Sequence, residues 1–255
     1  MCMKLIQKFS LLLFLSMQIA CETTEVNPND AKTAFQAARE AYDDEYFEMA
    51  LPKLQEFRAR FPYSRYSTEA ELLIGDSYFQ MDQFPEAAAV YNQFAKLHPE
   101  HPRADFALFR VGLCYWEESP DDRDRDQEFT TKAIDIWDEL LVRFPKSKFL
   151  SEAKAKQKAG KRRLADADHF VAEFYCKQKK WGACALRSMT IIESHAQYKD
   201  LVKEAARFGQ IAFLELAKNL ETEKIKTDAN VLTRNLSASK LRAKSIELGK
   251  LYSKL

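Results

Sequence analysis

The chain has 255 residues, of which 46% are hydrophobic and 30% charged, and its formal net charge is +1. That composition supports a packed core in one or two domains, and the charge balance supplies no global field for nucleic acid or an acidic partner. Only 6 Gly and 8 Pro occur, too few turn formers for an all-β sandwich or barrel. No apolar run reaches the roughly 18 residues of a membrane-spanning helix.

The first residues read as a processing signal. Lys4 and Lys8 form a basic start, Phe9 to Met17 is a short apolar run, and small Ala20 precedes Cys21. This is the layout of a secretory signal. The stretch Gln18-Ile19-Ala20-Cys21 resembles a bacterial lipobox, with Gln where Leu is usual. The resemblance implies cleavage before Cys21 and acylation of its thiol. Several acyl chains hold a protein on a membrane where one does not. Glu22 stands where Asp would mark inner-membrane retention, which implies the periplasmic face of the outer membrane. A plain secretory signal, with Cys21 an ordinary residue, is the alternative. Residues 1–20 are assigned to the signal, and 21–30 to the lipidated Cys and a polar, flexible tether.

Over residues 31–220 the pattern predicts an all-α fold, a TPR-like α-α superhelix (solenoid) of about five helix pairs. Arg60-Phe61-Pro62-Tyr63-Ser64 nearly recurs as Arg143-Phe144-Pro145-Lys146-Ser147, with Leu97-His98-Pro99 between them. Each Pro closes an amphipathic run. In the first pair, near 31–65, Ala38 and Ala50 take the small positions, and Leu54 and Phe57 the large ones. In the second, 68–101, Gly75 lets one helix approach the other, Tyr78 fills the aromatic slot, and Ala87 is the facing small residue. Thr68 and Glu71 suggest a capping box at its start. In the third pair Gly112 and Tyr115 mark one helix and Ala133, Trp137 and Leu140 the other, separated by a longer loop near Glu118–Glu128. A fourth, about 150–197, has a long first helix followed by Trp181 and Ala185. A fifth begins near Lys199. All these Gly, Ala and aromatic positions are read as structural.

Residues 221–255 carry eight Lys/Arg against four acidic residues. They read as a basic C-terminal helix or tail, either capping the fold, partly disordered, or meeting a partner or anionic surface. Cys176 and Cys184 flank a predicted turn and can pair or serve as small packing residues; the second reading is favoured. The alternating charges of Pro120 to Asp126 suggest a self-paired, solvated loop without metal-loop spacing. The basic run Lys154 to Arg163 suggests a solvated helix face. His98, His101, His169 and His195 lack ligand spacing, and no phosphate loop or nucleophile elbow occurs. No catalytic residue, metal or cofactor is therefore expected, apart from covalent lipid on Cys21.

The order and spacing of several segments resemble the BamD (YfiO/ComL) family of outer-membrane assembly lipoproteins. The segments are Tyr63-Ser64-Arg65-Tyr66-Ser67, His101-Pro102, Phe109 to Leu113, Asp124-Arg125-Asp126, Arg163-Leu164-Ala165 and Val171 to Tyr175, with Trp181 after them. The resemblance covers about 31–215 and ends before the basic tail. It implies a non-enzymatic scaffold for assembling outer-membrane β-barrels. Its partners would be a POTRA-containing barrel protein, other lipoproteins of the machinery and unfolded barrel substrates, with no nucleic acid. It further implies substrate recognition near the exposed Tyr63 and Tyr66, and a POTRA contact at Arg187. For the tyrosines, packing between repeats is the competing role. A periplasmic TPR adaptor regulating cell-wall synthesis or envelope constriction is the alternative function.

Overall fold

The computed structural model describes residues 30–222 and 236–255. Among them are ten α-helices and no strand. They run as α1 (Ala31–Asp43), α2 (Phe47–Arg60), α3 (Ser67–Gln80), α4 (Phe84–Leu97) and α5 (Ala104–Glu117). Then follow α6 (Glu128–Arg143), α7 (Leu150–Lys177), α8 (Trp181–Ser194), α9 (Lys199–Glu221) and α10 (Ala238–Lys254). The fold is all-α and TPR-like, as the repeat spacing predicts. The described residues form two compact units, one up to Ala70 and one from Glu71, divided within α3. Cys21 and residues 223–235 lie outside the described residues.

In the first unit, α1 opens at Asp30, whose carboxylate accepts from the Lys32 N–H at 3.1 Å and satisfies an otherwise orphan donor. Phe35, Ala38 and Ala41 recur at helical spacing and are buried. Ala50, Leu54 and Phe57 do the same on α2. The Phe35 and Phe57 rings meet at 5.4 Å.

In the second unit, neighbouring helices from α4 to α10 pack in chain order. The short turn that joins the helices of a pair has one recurring design. Asp82 and Lys179 adopt φ of 56° and 57°, and the residue after each donates its N–H back to Tyr78 O and Tyr175 O, both at 2.9 Å. Glu45, with φ 64°, repeats this in the first unit. The left-handed residue turns the chain so that six-to-one hydrogen bonds close the helix end.

The turns between pairs have a second design. Phe61, His98, Phe144 and His195 are the C-caps of α2, α4, α6 and α8, and each donates its N–H to the carbonyl four residues back. An aromatic ring therefore stands at every such corner, and Pro follows three of the four. Pro lacks the N–H needed to continue the helix.

One expectation changes here. The Thr68/Glu71 capping box does not form, because α3 already begins at Ser67. Glu71 is buried, and its carboxylate lies 3.3 Å from His98 Nε2. The basic C-terminal stretch, read as a helix or a tail, contains α10, which completes the fifth pair. Leu241 and Leu248 are buried in one apolar cluster with Ala212, Phe213 and Leu216 of α9. Ser245 Oγ donates to Gln210 O at 2.9 Å, and Arg242 holds Glu221 at 2.6 Å.

Candidate functional site

The repeat residues singled out from sequence form the core. Gly75 of α3 faces Tyr91 of α4, and Gly112 of α5 faces Trp137 of α6. Added Cβ atoms would come within 2.9 Å of the Tyr91 ring and 2.2 Å of Trp137 Nε1. Both rings have 0% exposure, as do Ala87 and Ala133. One device thus occurs twice, a glycine on the first helix and an aromatic ring on the second. Tyr78 is half-buried beside the same cluster.

A polar network is buried next to the first of these pairs. Tyr91 donates its hydroxyl proton to Asp76. Arg110 Nε donates to the Tyr91 hydroxyl at 3.0 Å, and its Nη2 stands 3.4 Å from Asp76. The guanidinium also covers the Phe79 ring at 3.7 Å. Burial pushes the Asp76 carboxyl above its ordinary value, against the Tyr91 hydrogen bond and the nearby Arg110 and Arg103. Burial first, then the Asp76 charge, raises Tyr91. Each buried polar group has a partner, so the network reads as a specificity element of the core. Sequence patterning missed it, because Asp76 sits in a helical run among apolar neighbours.

The charged side chains of the loop between α5 and α6 form no ion pair with one another among the described residues. Arg163 of α7 reaches across to donate to Ser119 Oγ and Asp121 Oδ1, both at 2.6 Å, while its guanidinium covers Trp116 at 4.2 Å. The Gln127 amide donates to the carbonyls of Pro120, Asp122 and Arg125. The basic run on α7 accordingly splits. Lys154, Lys158 and Lys161 are exposed, whereas Arg163 pins the loop and Arg162 spans Asp166 and Asp200.

The surface residues also separate. Tyr63 is 99% exposed on the turn after α2. Tyr66, three residues on, is half-buried instead and stacks on Phe35 at 5.0 Å with 12° between the planes. The Arg65 guanidinium covers its other side at 4.7 Å. Its ring is therefore committed to packing and closes the turn. In the same unit, Ala34, Ala37, Lys53, Glu56, Phe57 and Arg60 line an open groove between α1 and α2. Arg187 is exposed on α8 and makes no ion pair among the described residues. No helix among those residues is long and apolar enough to cross a membrane.

Cys176 and Cys184 are joined by a disulfide, which overturns the packing-only reading of the two. The turn sets their Cα atoms 4.9 Å apart, inside the range a disulfide spans. Cys114 is a free buried thiol that burial pushes up to about 12.

Helix pairs carrying these corner and core devices are what the YfiO family model, described as "Outer membrane lipoprotein", matches over residues 27–230. The chain belongs to that family. It is 30% identical to the outer membrane protein assembly factor BamD of Neisseria meningitidis serogroup B, over 86% of this chain and 87% of that one. It is 29% identical to the factor of the same name from Vibrio cholerae, over 90% and 96%. For that of Rickettsia prowazekii the figures are 23%, 98% and 99%. The family match spans all four aromatic corners and ends before α10.

Proposed function

We propose that this chain is a non-enzymatic scaffold of the machinery that assembles outer-membrane β-barrels, held at the periplasmic face of the outer membrane by lipid on Cys21. In this reading the second unit binds the POTRA region of the barrel-forming subunit through a surface that includes Arg187. The first unit meets unfolded barrel segments, with Tyr63 as the anchor. Other lipoproteins of the machinery complete the assembly.

The observation that carries the reading is the family match across nearly the whole helical region, joined to relatives named as assembly factors. The chemistry supports it. The distinctive Gly, Tyr, Trp and Asp residues are used up in packing. Among the residues left on the surface are a bare tyrosine, Tyr63, and a free arginine, Arg187, which suit protein recognition. A tyrosine supplies much contact area at small entropic cost. Tyr66 is left out of the binding surface, because its ring is spent on Phe35 and Arg65.

The test is affinity capture of the lipidated chain from detergent-solubilised outer membranes, with mass spectrometry of what is retained. A POTRA-containing barrel protein is expected, and Arg187→Glu is expected to reduce its recovery. Retention of cell-wall enzymes alone would reject the scaffold reading. Undiminished recovery with Arg187→Glu would reject only that residue's role. Cys21→Ser should move the chain to the soluble periplasmic fraction; persistent membrane association would reject the lipid anchor.

A further inference from the structure

The corner between α7 and α8 holds a feature that helix-pair packing does not require. Cys176, in the last turn of α7, is bonded to Cys184, in the first turn of α8. The two cysteines are not equally buried. Cys184 has 0% exposure. Cys176 is half-buried and forms part of the wall of an open groove with Glu173, Lys177, Trp181, Arg207 and Phe208. Glu173 is paired with Lys177 at 2.8 Å, which leaves Arg207 as the groove's uncompensated charge, a cation suited to an approaching thiolate.

We infer that the Cys176–Cys184 bond is a reversible thiol–disulfide exchange site entered through Cys176, serving a disulfide-bearing oxidant in one direction and a thiol reductant in the other. The groove exposes only the Cys176 side of the bond, so an incoming sulfur meets Cys176 while Cys184 is shielded by the core. In the oxidising direction, the Cys176 thiolate attacks the donor disulfide. The donor S–S bond breaks, and one donor sulfur leaves as thiolate. The Cys184 thiolate then attacks Cys176 Sγ, which forms the intrachain bond and expels the second donor sulfur. Two electrons pass to the donor, and the two protons lost by the cysteines balance those taken up by the donor thiols. In the reducing direction, a reductant thiolate attacks Cys176 Sγ and Cys184 leaves as thiolate. A second reductant thiol then releases Cys176 and carries away the oxidised reductant.

The bond encloses Lys179, with φ 57°, and Trp181, the first residue of α8. Opening it releases the first turn of α8 from its covalent tie to α7, so Trp181 reports the state of the site. The inference rests on the geometry of this corner alone and is independent of the assembly reading.

The test uses the full mature chain, undenatured, in buffers of reduced and oxidised glutathione, with acid quenching, alkylation and peptide mass spectrometry. Cys184→Ser is expected to take a glutathione adduct on Cys176 at least roughly tenfold faster than Cys176→Ser takes one on Cys184. Wild type, quenched early during reduction, should carry its mixed disulfide on Cys176, and Trp181 emission should change with the state of the bond. Adducts on Cys184 first, equal rates at both positions, or a bond that yields only after denaturation would each overturn the proposal. Circular dichroism checks the variants. If either unfolds, the wild-type trapping experiment decides alone, because the mixed disulfide marks the sulfur attacked first.

Discussion

Gly112→Ala tests the close approach of α5 and α6 with a single methyl group. In an exposed helix this change is favourable by about 1 kcal/mol, because glycine loses more backbone freedom on folding. Here the new Cβ would lie 2.2, 2.6 and 2.7 Å from Nε1, Cε2 and Cδ1 of Trp137. Trp137 has 0% exposure and packs in one cluster with Tyr91, Leu108 and Leu140, so its ring has no free volume to enter. Overpacking a close-packed core costs about 1–3 kcal/mol. Three simultaneous sub-contact distances to a rigid ring put this case at the upper end, for a net loss of about 2 kcal/mol after the propensity gain. At 2–4 °C per kcal/mol for a region of this size, Tm should fall by roughly 4–8 °C. Gly249→Ala is the internal control. Its added Cβ would meet the Gln210 side-chain amide at 2.6 Å, the far end of a flexible chain that can swing aside, so it should be neutral or slightly stabilising. Urea unfolding followed by circular dichroism reads both. If Gly112→Ala stabilises the protein as Gly249→Ala does, the argument from the approach of these two helices fails.

Three further outcomes follow from other corners. Reducing the Cys176–Cys184 bond, which closes a loop of sequence separation 8, should lower stability by about 2.5 kcal/mol on the chain-entropy estimate; an unchanged urea midpoint with and without reductant would contradict this. Lys179→Gly should raise stability by about 0.5–1 kcal/mol, because relief of the left-handed backbone, roughly 1–2 kcal/mol, outweighs the added freedom of the unfolded chain. A lower Tm for that variant would show that its side chain contributes more than its backbone costs. Arg163→Ala should speed amide hydrogen exchange in residues 118–127 and leave α8 and α9 unaffected; unchanged protection of the loop would mean that Gln127 holds it alone.

Much of this architecture is legible in the sequence. The Pro residues after Phe61, His98 and Phe144 mark corners, and Gly75 and Gly112 occur where a second helix must come close. The long α7 helix follows from a run that holds no Pro and a single Gly, Gly160, which faces Ile134. What stayed hidden depends on side chains that meet across helices. Nothing local in the sequence tells Tyr63 from Tyr66, yet one is bare and the other is stacked on a ring thirty-one positions earlier in the chain. Arg163 looks like one more charge in a basic run until the α5–α6 loop is placed against it. The pairing of Cys176 with Cys184 depends on a three-residue turn whose left-handed residue is a lysine rather than a glycine. One repeat signal was available. His98 bonds Glu71 and His195 bonds Asp168, each at a separation of 27 residues, so two inter-helix polar contacts recur in register with the helix pairs.

The most direct test of the scaffold account is controlled depletion of the chain in its own cells, with quantitative proteomics of isolated outer membranes set against the rate of cell-wall incorporation. The account predicts that β-barrel proteins disappear from the outer membrane first, while cell-wall growth continues undisturbed. Early arrest of cell-wall growth or of envelope constriction, with barrel levels intact, would contradict it.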